Sequence, residues 1–178
     1  LQYITRPGEK KYVGTVQAFN PFQKPELLAG SIASPLGDRQ LLLPEGYLQA
    51  LNFGSAQDAI GKKVILSVLK PASQATAPTY PGQPAVAPAQ ASVQQEFTVS
   101  AVLKKPTTSQ PGTELYMFTS LADAQELNDI TTLGTVNYHK YQYVNVRIKG
   151  GENANTLLDA QNKIKALGFT AQSVKDTQ

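Results

Sequence analysis

One histidine, His139, is the only imidazole in the chain, and it lies directly before Lys140. A Ser-His-acid triad needs a histidine that a carboxylate orients, whereas a neighbouring cation favours the neutral imidazole without orienting it. The sequence contains no cysteine, which excludes a thiolate nucleophile, a thiolate metal site and a disulfide. We therefore interpret His139 as a surface residue and predict no catalytic residue.

Three acids, Asp123, Glu126 and Asp129, follow one another at intervals of three residues. On a helix this spacing brings at least the first two close together on one face. Acids on an exposed helix face are usually solvated, and a metal site needs further ligands that the sequence does not offer here. The glycine motifs that hold phosphates and the G-x-S-x-G nucleophile motif are also missing. We predict no metal, no cofactor, and a fold that survives loss of His139 or Asp123.

Tyr138, Tyr141 and Tyr143 are the only candidate binding residues in this interpretation. Tyr141 and Tyr143 would share one face of a strand, because alternate residues of a strand point the same way. Two interpretations stay open: the rings form a surface on which a sugar or peptide stacks, or they cover the edge of the core.

The chain has 178 residues, of which 41% are hydrophobic. This length is enough for one ordinary domain or two small subdomains with a buried core. The net charge of +3 comes from scattered residues, and its lysine pairs lack the clustered arginines of a nucleic-acid surface, so no nucleic-acid partner is predicted. No apolar stretch approaches the roughly 20 residues that span a bilayer. The sequence starts at leucine rather than methionine, which suggests a removed leader or an excised segment.

The clearest local pattern lies at residues 143–174 and predicts a strand, a helix and a second strand. The helix, residues 156–167, has Asn153 or Asn155 as N-cap and Gly168 at its end. The predicted packing places three helix residues against three strand residues: Leu157, Ile164 and Leu167 against Val144, Val146 and Ile148.

Further strands are predicted at residues 12–19, 39–43, 62–69, 97–103 and 115–118 from apolar runs and alternation. Helices are predicted after Pro44-Glu45, from Ser55 to Ile60, and over residues 120–127, the last two on capping patterns. Residues 128–137 are predicted to be loop.

Residues 71–95 contain five prolines and no Asp, Glu, Lys or Arg. We therefore predict that this tract is the disordered, enlarged tip of a hairpin between two strands.

The order of several segments resembles the MacB-like periplasmic core domain, the extracytoplasmic domain of MacB/FtsX-type ABC transporter permeases. The segments are residues 28–30 (LAG), 40–48 (QLLLPEGYL), 59–64 (AIGKKV), 97–102 (FTVSAV), 120–127 (SLADAQEL) and 143–170. The resemblance spans about residues 28–176, and its order is more specific than any one segment. The opening portion is shorter than in that family, and the tract at residues 71–95 is longer.

The resemblance implies an α+β fold in two parts. A membrane-proximal subdomain with split βαβ units would comprise residues 1–27 and 104–178, and a β-rich subdomain would comprise residues 28–103. It also implies a domain on the extracytoplasmic side of the cell membrane, with no enzymatic role, that couples cytoplasmic ATP hydrolysis mechanically to a substrate or partner.

The implied partners are the transmembrane helices of the same permease, a cytoplasmic ATPase subunit and an extracytoplasmic protein or peptide. An exported glycan- or peptide-binding module that uses the three tyrosines is the alternative function. A hydrolase is a third hypothesis, and its base would be His139 or an unpaired acid.

Overall fold

The computed structural model describes residues 2–22, 24–71, 91–106, 115–141, 144 and 146–173. Seven strands are present: β1 (Gln2–Thr5), β2 (Tyr12–Ala18), β3 (Leu27–Gly30), β4 (Gln40–Pro44), β5 (Lys63–Leu69), β6 (Ser92–Leu103) and β7 (Tyr116–Thr119). Four helices accompany them: α1 (Gly46–Ala50), α2 (Ala56–Ala59), α3 (Leu121–Thr132) and α4 (Ala154–Ala166). The chain forms two compact units, Leu1–His139 and Lys140–Gln178.

Six strands of the first unit close into a mixed β-barrel in the order β6-β4-β7-β2-β1-β5, with β5 pairing back onto β6. The β4–β6 and β2–β7 pairs are parallel, and the other pairs are antiparallel. Strand β3 is an addition outside this ring and pairs antiparallel with β6. Closure gives every barrel strand a neighbour on both sides, which removes open edges from the ring.

Strand β6 closes the barrel because it is long enough to serve three neighbours. Its first half pairs with β5, from Ser92 opposite Leu69 to Thr98 opposite Lys63. Its second half pairs with β4 on one side and with β3 on the other.

The main core holds the large apolar side chains of the barrel strands together with residues of the helices that cover it. In β4, Leu41 and Leu43 belong to the main core, and Leu42 belongs to a second, smaller cluster. In β5, Val64, Leu66 and Val68 are fully buried, as their alternation predicted.

A register shift between β4 and β6 changes which β6 side chains face the main core. Phe97 and Val99 belong to the main core before the shift, and Val102 belongs to it afterwards. Ala101 and Leu103 belong to the second cluster. The prediction that Phe97, Val99, Ala101 and Leu103 share one face is therefore wrong, because an extra residue reverses the alternation.

The predicted fold class is also wrong. The first unit is a closed six-stranded barrel with one added strand, and it is not a split βαβ arrangement. Strands from residues 1–27 and from residues 104–178 pair in the same ring as strands from residues 28–103. The apolar faces of short strands are compatible with either architecture, and long-range pairing decides between them.

Most predicted elements of the first unit are confirmed. Strands β2, β4, β5, β6 and β7 and helices α1, α2 and α3 lie at or near their predicted positions. Pro44 ends β4 instead of lying in α1, and α3 continues to Thr132 through residues predicted to be loop. The helix continues because Leu127 and Ile130 pack on the main core one turn apart. Strands β1 and β3 were not predicted.

In the second unit, the predicted helix is confirmed as α4, and Asn153 caps it by accepting bonds from the backbone of Asn155 and Thr156. Gly168 follows it with a φ of 88°, a conformation that glycine adopts without strain. Its two predicted flanking strands are wrong where the chain is described, residues 144, 146–149 and 169–173.

The predicted packing of α4 is wrong as well. Leu167, Val144 and Val146 are exposed, and Leu157 and Ile164 are half-buried. Within the described residues of the second unit there is no strand on which the apolar positions of α4 could pack.

The predicted hairpin around the proline-rich tract is confirmed by the antiparallel pairing of β5 with β6. Residues 92–95 belong to β6, so the connection is shorter than predicted. The prediction of disorder for residues 71–95 is therefore wrong at residues 92–95, and residues 72–90 lie outside the described residues. No helix in the described ranges is long and apolar enough to cross a membrane.

Candidate functional site

Asp123 is a buried carboxylate at the start of α3, 4% exposed. Ser120 caps the helix by accepting a bond from the Asp123 backbone N–H at 3.1 Å, and its hydroxyl donates to the Asp123 carboxylate at 2.8 Å. The Thr119 hydroxyl lies 3.3 Å from the same oxygen, and the backbone N–H of Arg39 donates to it at 2.8 Å. A buried carboxylate needs such donors, since an unpaired charge in the interior is costly.

The Arg39 side chain completes a cluster that joins three elements. Its guanidinium donates to Glu126 of α3 at 2.7 Å and also to Gln95 of β6. The Gln95 amide donates to Glu126 at 2.6 Å, and the guanidinium lies 5.4 Å from the centre of the Phe97 ring. Arg39 has a φ of 54°, so its backbone is held in the left-handed region just before β4.

The cluster of Arg39, Gln95, Asp123 and Glu126 fixes α3 against the barrel. The prediction that Asp123 and Glu126 lie close together is confirmed, since both contact Arg39. The interpretation of Asp123 as a solvated surface acid is wrong, because its carboxylate bonds to a backbone 84 residues away in sequence. Because Asp123 Oδ2 accepts from the Arg39 backbone and from Ser120, and Oδ1 lies 3.5 Å from Arg39 Nε, the Asp123 carboxylate supports the packing of α3 on the barrel.

His139 forms the second polar contact that the sequence did not predict. Its Nδ1 lies 3.4 Å from a carboxylate oxygen of Asp129 in α3, and the Tyr138 ring lies 3.9 Å away between ring centres. The backbone of His139 has a φ of 56°. The imidazole is mostly exposed, as predicted. Asp129 and His139 are therefore neighbours at the end of the first unit.

The candidate tyrosines are exposed where they are described: Tyr138 is 39% exposed and Tyr141 is 53% exposed. Tyr138 belongs to the first unit and Tyr141 to the second. Tyr143 lies outside the described residues. The shared aromatic surface stays a prediction. Within the described ranges, no group of three or more acids and histidines is arranged to hold a metal ion.

A groove of about 340 Å³ lies beside β3, the strand that is added to the barrel. Its lining includes mainly apolar side chains from both flanks of the strand: Phe19, Pro21, Pro25, Leu27 and Ile32, with Lys24 as the cation. Phe22 and Leu28 are exposed nearby along the chain. In the described part of the chain, β3 pairs only with β6, so its other edge carries no strand.

Comparison with known proteins gives no family assignment. No protein-family model matches the chain. No curated protein sequence matches it.

The two features that sequence reasoning missed, the Arg39 cluster and the β3 groove, depend on long-range pairing. The Ser120 and Asp123 capping pattern gave a local signal for the acid's position, and that capping prediction is confirmed. Nothing near Arg39 in the sequence points to its partner on α3. For the groove, Pro21 and Pro25 beside Leu27-Leu28 were the available signal, an exposed apolar segment next to prolines.

Proposed function

We propose that the chain is the extracytoplasmic domain of a MacB/FtsX-like ABC transporter permease, which its motifs resemble. It passes on motion driven by ATP hydrolysis in the cytoplasm and performs no chemistry of its own. Its partners are the transmembrane helices of the same permease, a cytoplasmic ATPase subunit and a protein or peptide outside the membrane.

The observation that carries this proposal is that three of the resembling segments, residues 28–30, 40–48 and 59–64, are hydrogen-bonded to β6, which contains a fourth. Gly30 pairs with Ala101, and Leu43 pairs with Val102. The backbone N–H of Gly61 donates to Val99 at 2.8 Å. Segments that are distant in sequence thus lie side by side in one part of the barrel. Their contact supports the view that they resemble the permease domain as parts of one structural unit.

The helix at residues 120–127 joins the same part, because Asp123 bonds to Arg39 immediately before β4. The split βαβ part that the resemblance implied is not included in the proposal. The barrel takes its place as the body that moves.

The position of β1 supports a mechanical role. Tyr3 of β1 pairs with Val13 of β2 on one side and with Ser67 of β5 on the other. A load applied along β1 is therefore shared between two ladders of backbone hydrogen bonds, and closure passes it around the ring. Because β1 is hydrogen-bonded on both sides, we expect the load to move the whole barrel and not to pull β1 out of the sheet.

The location is tested by labelling single cysteines in the membrane protein that carries this domain. The chain has no native cysteine, so Val136→Cys, at a position 80% exposed, gives the domain one accessible thiol. A membrane-impermeant maleimide should label it on intact cells. Val64→Cys, at a buried position, is the matched control and should react only after denaturation. Labelling of Val136→Cys only after lysis would contradict the proposal.

Coupling is tested with two alanines of α4. Ala160→Pro lies in the helix interior and should break α4 at a cost of about 3 kcal/mol or more. Ala154→Pro lies at the first helical position, where proline is tolerated, and the preceding Asn153 is already extended. In the membrane-bound transporter, Ala160→Pro should lower substrate movement per ATP hydrolysed, and Ala154→Pro should not.

Equal coupling in both proline variants would show that α4 takes no part in the coupling. Hydrolytic activity of the chain alone, abolished by His139→Ala, would favour the hydrolase hypothesis instead. The alternative binding module is favoured by the exposure of Tyr138 and Tyr141. It predicts saturable binding of a glycan or peptide that Tyr141→Ala weakens.

A further inference from the structure

The excess positive charge of the chain belongs to its second unit. The first unit, Leu1–His139, holds ten basic and ten acidic residues, so it contributes no net charge. The second unit, Lys140–Gln178, holds six basic and three acidic residues and therefore supplies the whole net charge of +3. An excess concentrated in so short a segment attracts anionic partners.

The same unit exposes large apolar side chains, and none of its described residues is buried. At the end of α4, Leu167 is 75% exposed and Phe169 is 68% exposed. Exposed apolar side chains that stand singly are ordinary, whereas neighbouring ones mark a contact surface.

The turn after α4 holds these two side chains at the helix end. The backbone N–H of Gly168 donates to Lys165 at 2.9 Å, and the backbone N–H of Phe169 donates to Ile164 at 3.3 Å. With the positive φ of Gly168, these two bonds form a Schellman motif. Leu167 and Phe169 therefore extend from an ordered turn.

Lysines lie directly beside this apolar pair. Lys163 and Lys165 are in the last turn of α4, one residue before and one residue after Ile164. Lys163 pairs with Asp159 at 2.8 Å, whereas no ion pair of Lys165 is present in the described ranges. A long lysine side chain can lay its methylenes along apolar surface and keep its ammonium in a polar layer.

This mixture of groups fits an anionic bilayer surface better than a protein. The centres of protein interfaces are depleted in lysine. Helices that lie in the membrane interface instead combine exposed apolar side chains with lysines that meet anionic headgroups. Helix α4 has 13 residues, fewer than the roughly 20 that cross a bilayer, so it suits the surface and not the interior.

We infer that the C-terminal end of α4 binds the surface of a membrane that contains anionic phospholipids. Leu167 and Phe169 enter the boundary between headgroups and acyl chains, and Lys163 and Lys165 contact the phosphates. This inference does not rest on the permease proposal, because it is tested on the chain alone. Failure to bind lipid would leave the labelling result for Val136→Cys unaffected.

The test uses the full chain and vesicles of phosphatidylcholine mixed with phosphatidylglycerol. Sedimentation should show saturable binding that weakens at least about tenfold with pure phosphatidylcholine or with added salt, since both remove the electrostatic attraction. The chain has no tryptophan, so Phe169→Trp supplies a single indole at the site. Its emission should shift to shorter wavelength on binding and be quenched by brominated lipids. Leu121→Trp, at an exposed leucine of the first unit, should show neither change.

Substitutions separate the apolar and the charged contributions. Leu167→Ser combined with Phe169→Ser should weaken binding at least about tenfold, because two apolar side chains no longer leave water. Leu121→Ser, at a leucine that is 62% exposed, is the matched control and should bind as the unaltered chain does. Lys165→Gln should weaken binding to the anionic vesicles roughly fivefold. Lys11→Gln removes the same charge from the first unit and should have no effect.

Four results would overturn the inference. The first is the absence of saturable binding at millimolar lipid. The second is equal binding to neutral and anionic vesicles. The third is an unchanged emission of Phe169→Trp in the bound chain, which would place the membrane contact elsewhere. The fourth is a dimer in sedimentation experiments that Leu167→Ser with Phe169→Ser dissociates, which would assign the surface to a second copy of the chain.

Discussion

The two units of this protein are stabilised in different ways. The barrel of Leu1–His139 buries its large side chains almost completely, Leu66 and Phe97 among them, and closes its strands into a ring. In the unit Lys140–Gln178, the described residues form one well-capped helix, α4, with no buried residue. In the barrel, stability comes from contacts distant in sequence, and in the second unit the visible order comes from local capping and turns.

This contrast explains where function is proposed. A fully packed barrel resists deformation and suits a body that moves as a whole. Helix α4 has no buried residue, so contacts distant in sequence contribute less to its stability. Matched substitutions in the two units test this contrast.

The largest effect is expected from a buried leucine. Leu66→Ala should lower the free energy of unfolding of the barrel by about 2–5 kcal/mol, because it leaves a cavity in the main core. Leu158→Ala in α4, an exposed leucine, should change stability by no more than about 0.5 kcal/mol. Urea denaturation of both variants measures the difference. Equal losses would show that the units do not differ in this way.

The next effect is expected from a buried acid. Asp123→Ala should cost about 1–3 kcal/mol, because it leaves the Arg39 backbone N–H and the Ser120 hydroxyl without their acceptor. The sequence alone predicted no such loss. Asp159→Ala removes an exposed carboxylate that pairs with Lys163 of α4 at 2.8 Å, and should leave the melting temperature unchanged. An unchanged melting temperature for Asp123→Ala would show that the Arg39 cluster is dispensable.

A smaller effect, which depends on pH, is expected from Tyr47. Burial raises the pKa of Tyr47, whose hydroxyl donates to the Val13 carbonyl at 3.0 Å. Below about pH 10 the folded and unfolded states both keep the proton, so its contribution is complete. Above that pH the unfolded state releases the proton first, and the contribution to stability is lost as pH rises towards the folded pKa.

Tyr47→Phe should therefore cost about 0.5–1.5 kcal/mol at neutral pH and show a shallower loss of stability in alkali. Tyr141→Phe, at an exposed ring of the second unit, should keep the stability of the unaltered chain at neutral pH. Denaturation curves collected from neutral to alkaline pH give both slopes. A Tyr47→Phe slope as steep as that of the unaltered chain would assign the alkaline loss to other groups.

The smallest effect is expected from the proline-rich connection. Replacing residues 72–90 by a short glycine-containing turn should change stability by only about 0.6 kcal/mol for each halving of length. Removing residues 92–95 as well should be far more damaging, because they pair with β5. Thermal melts compare the two deletions. A fall of several degrees after the first deletion would mean that the connection packs on the body.

Part of the site was within reach of the sequence. The capping patterns at Ser55 and Ser120 placed α2 and α3 correctly, since a cap needs only residues three positions apart. The proximity of Asp123 and Glu126 followed from helix geometry. The arginine that joins them did not, because Arg39 lies in a separate part of the sequence with no local pattern that pairs it with α3.

The sequence by itself determined the helices, five of the seven strands and the hairpin between β5 and β6, because these depend on spacing, capping and alternation over a few residues. The tertiary structure decided the rest. Closure of the ring, the register shift that turns Ala101 away from the main core, and the free edge of β3 all arise from pairing between distant strands. Alternation gives a strand two faces, and only its neighbours decide which face is buried and which edge stays open.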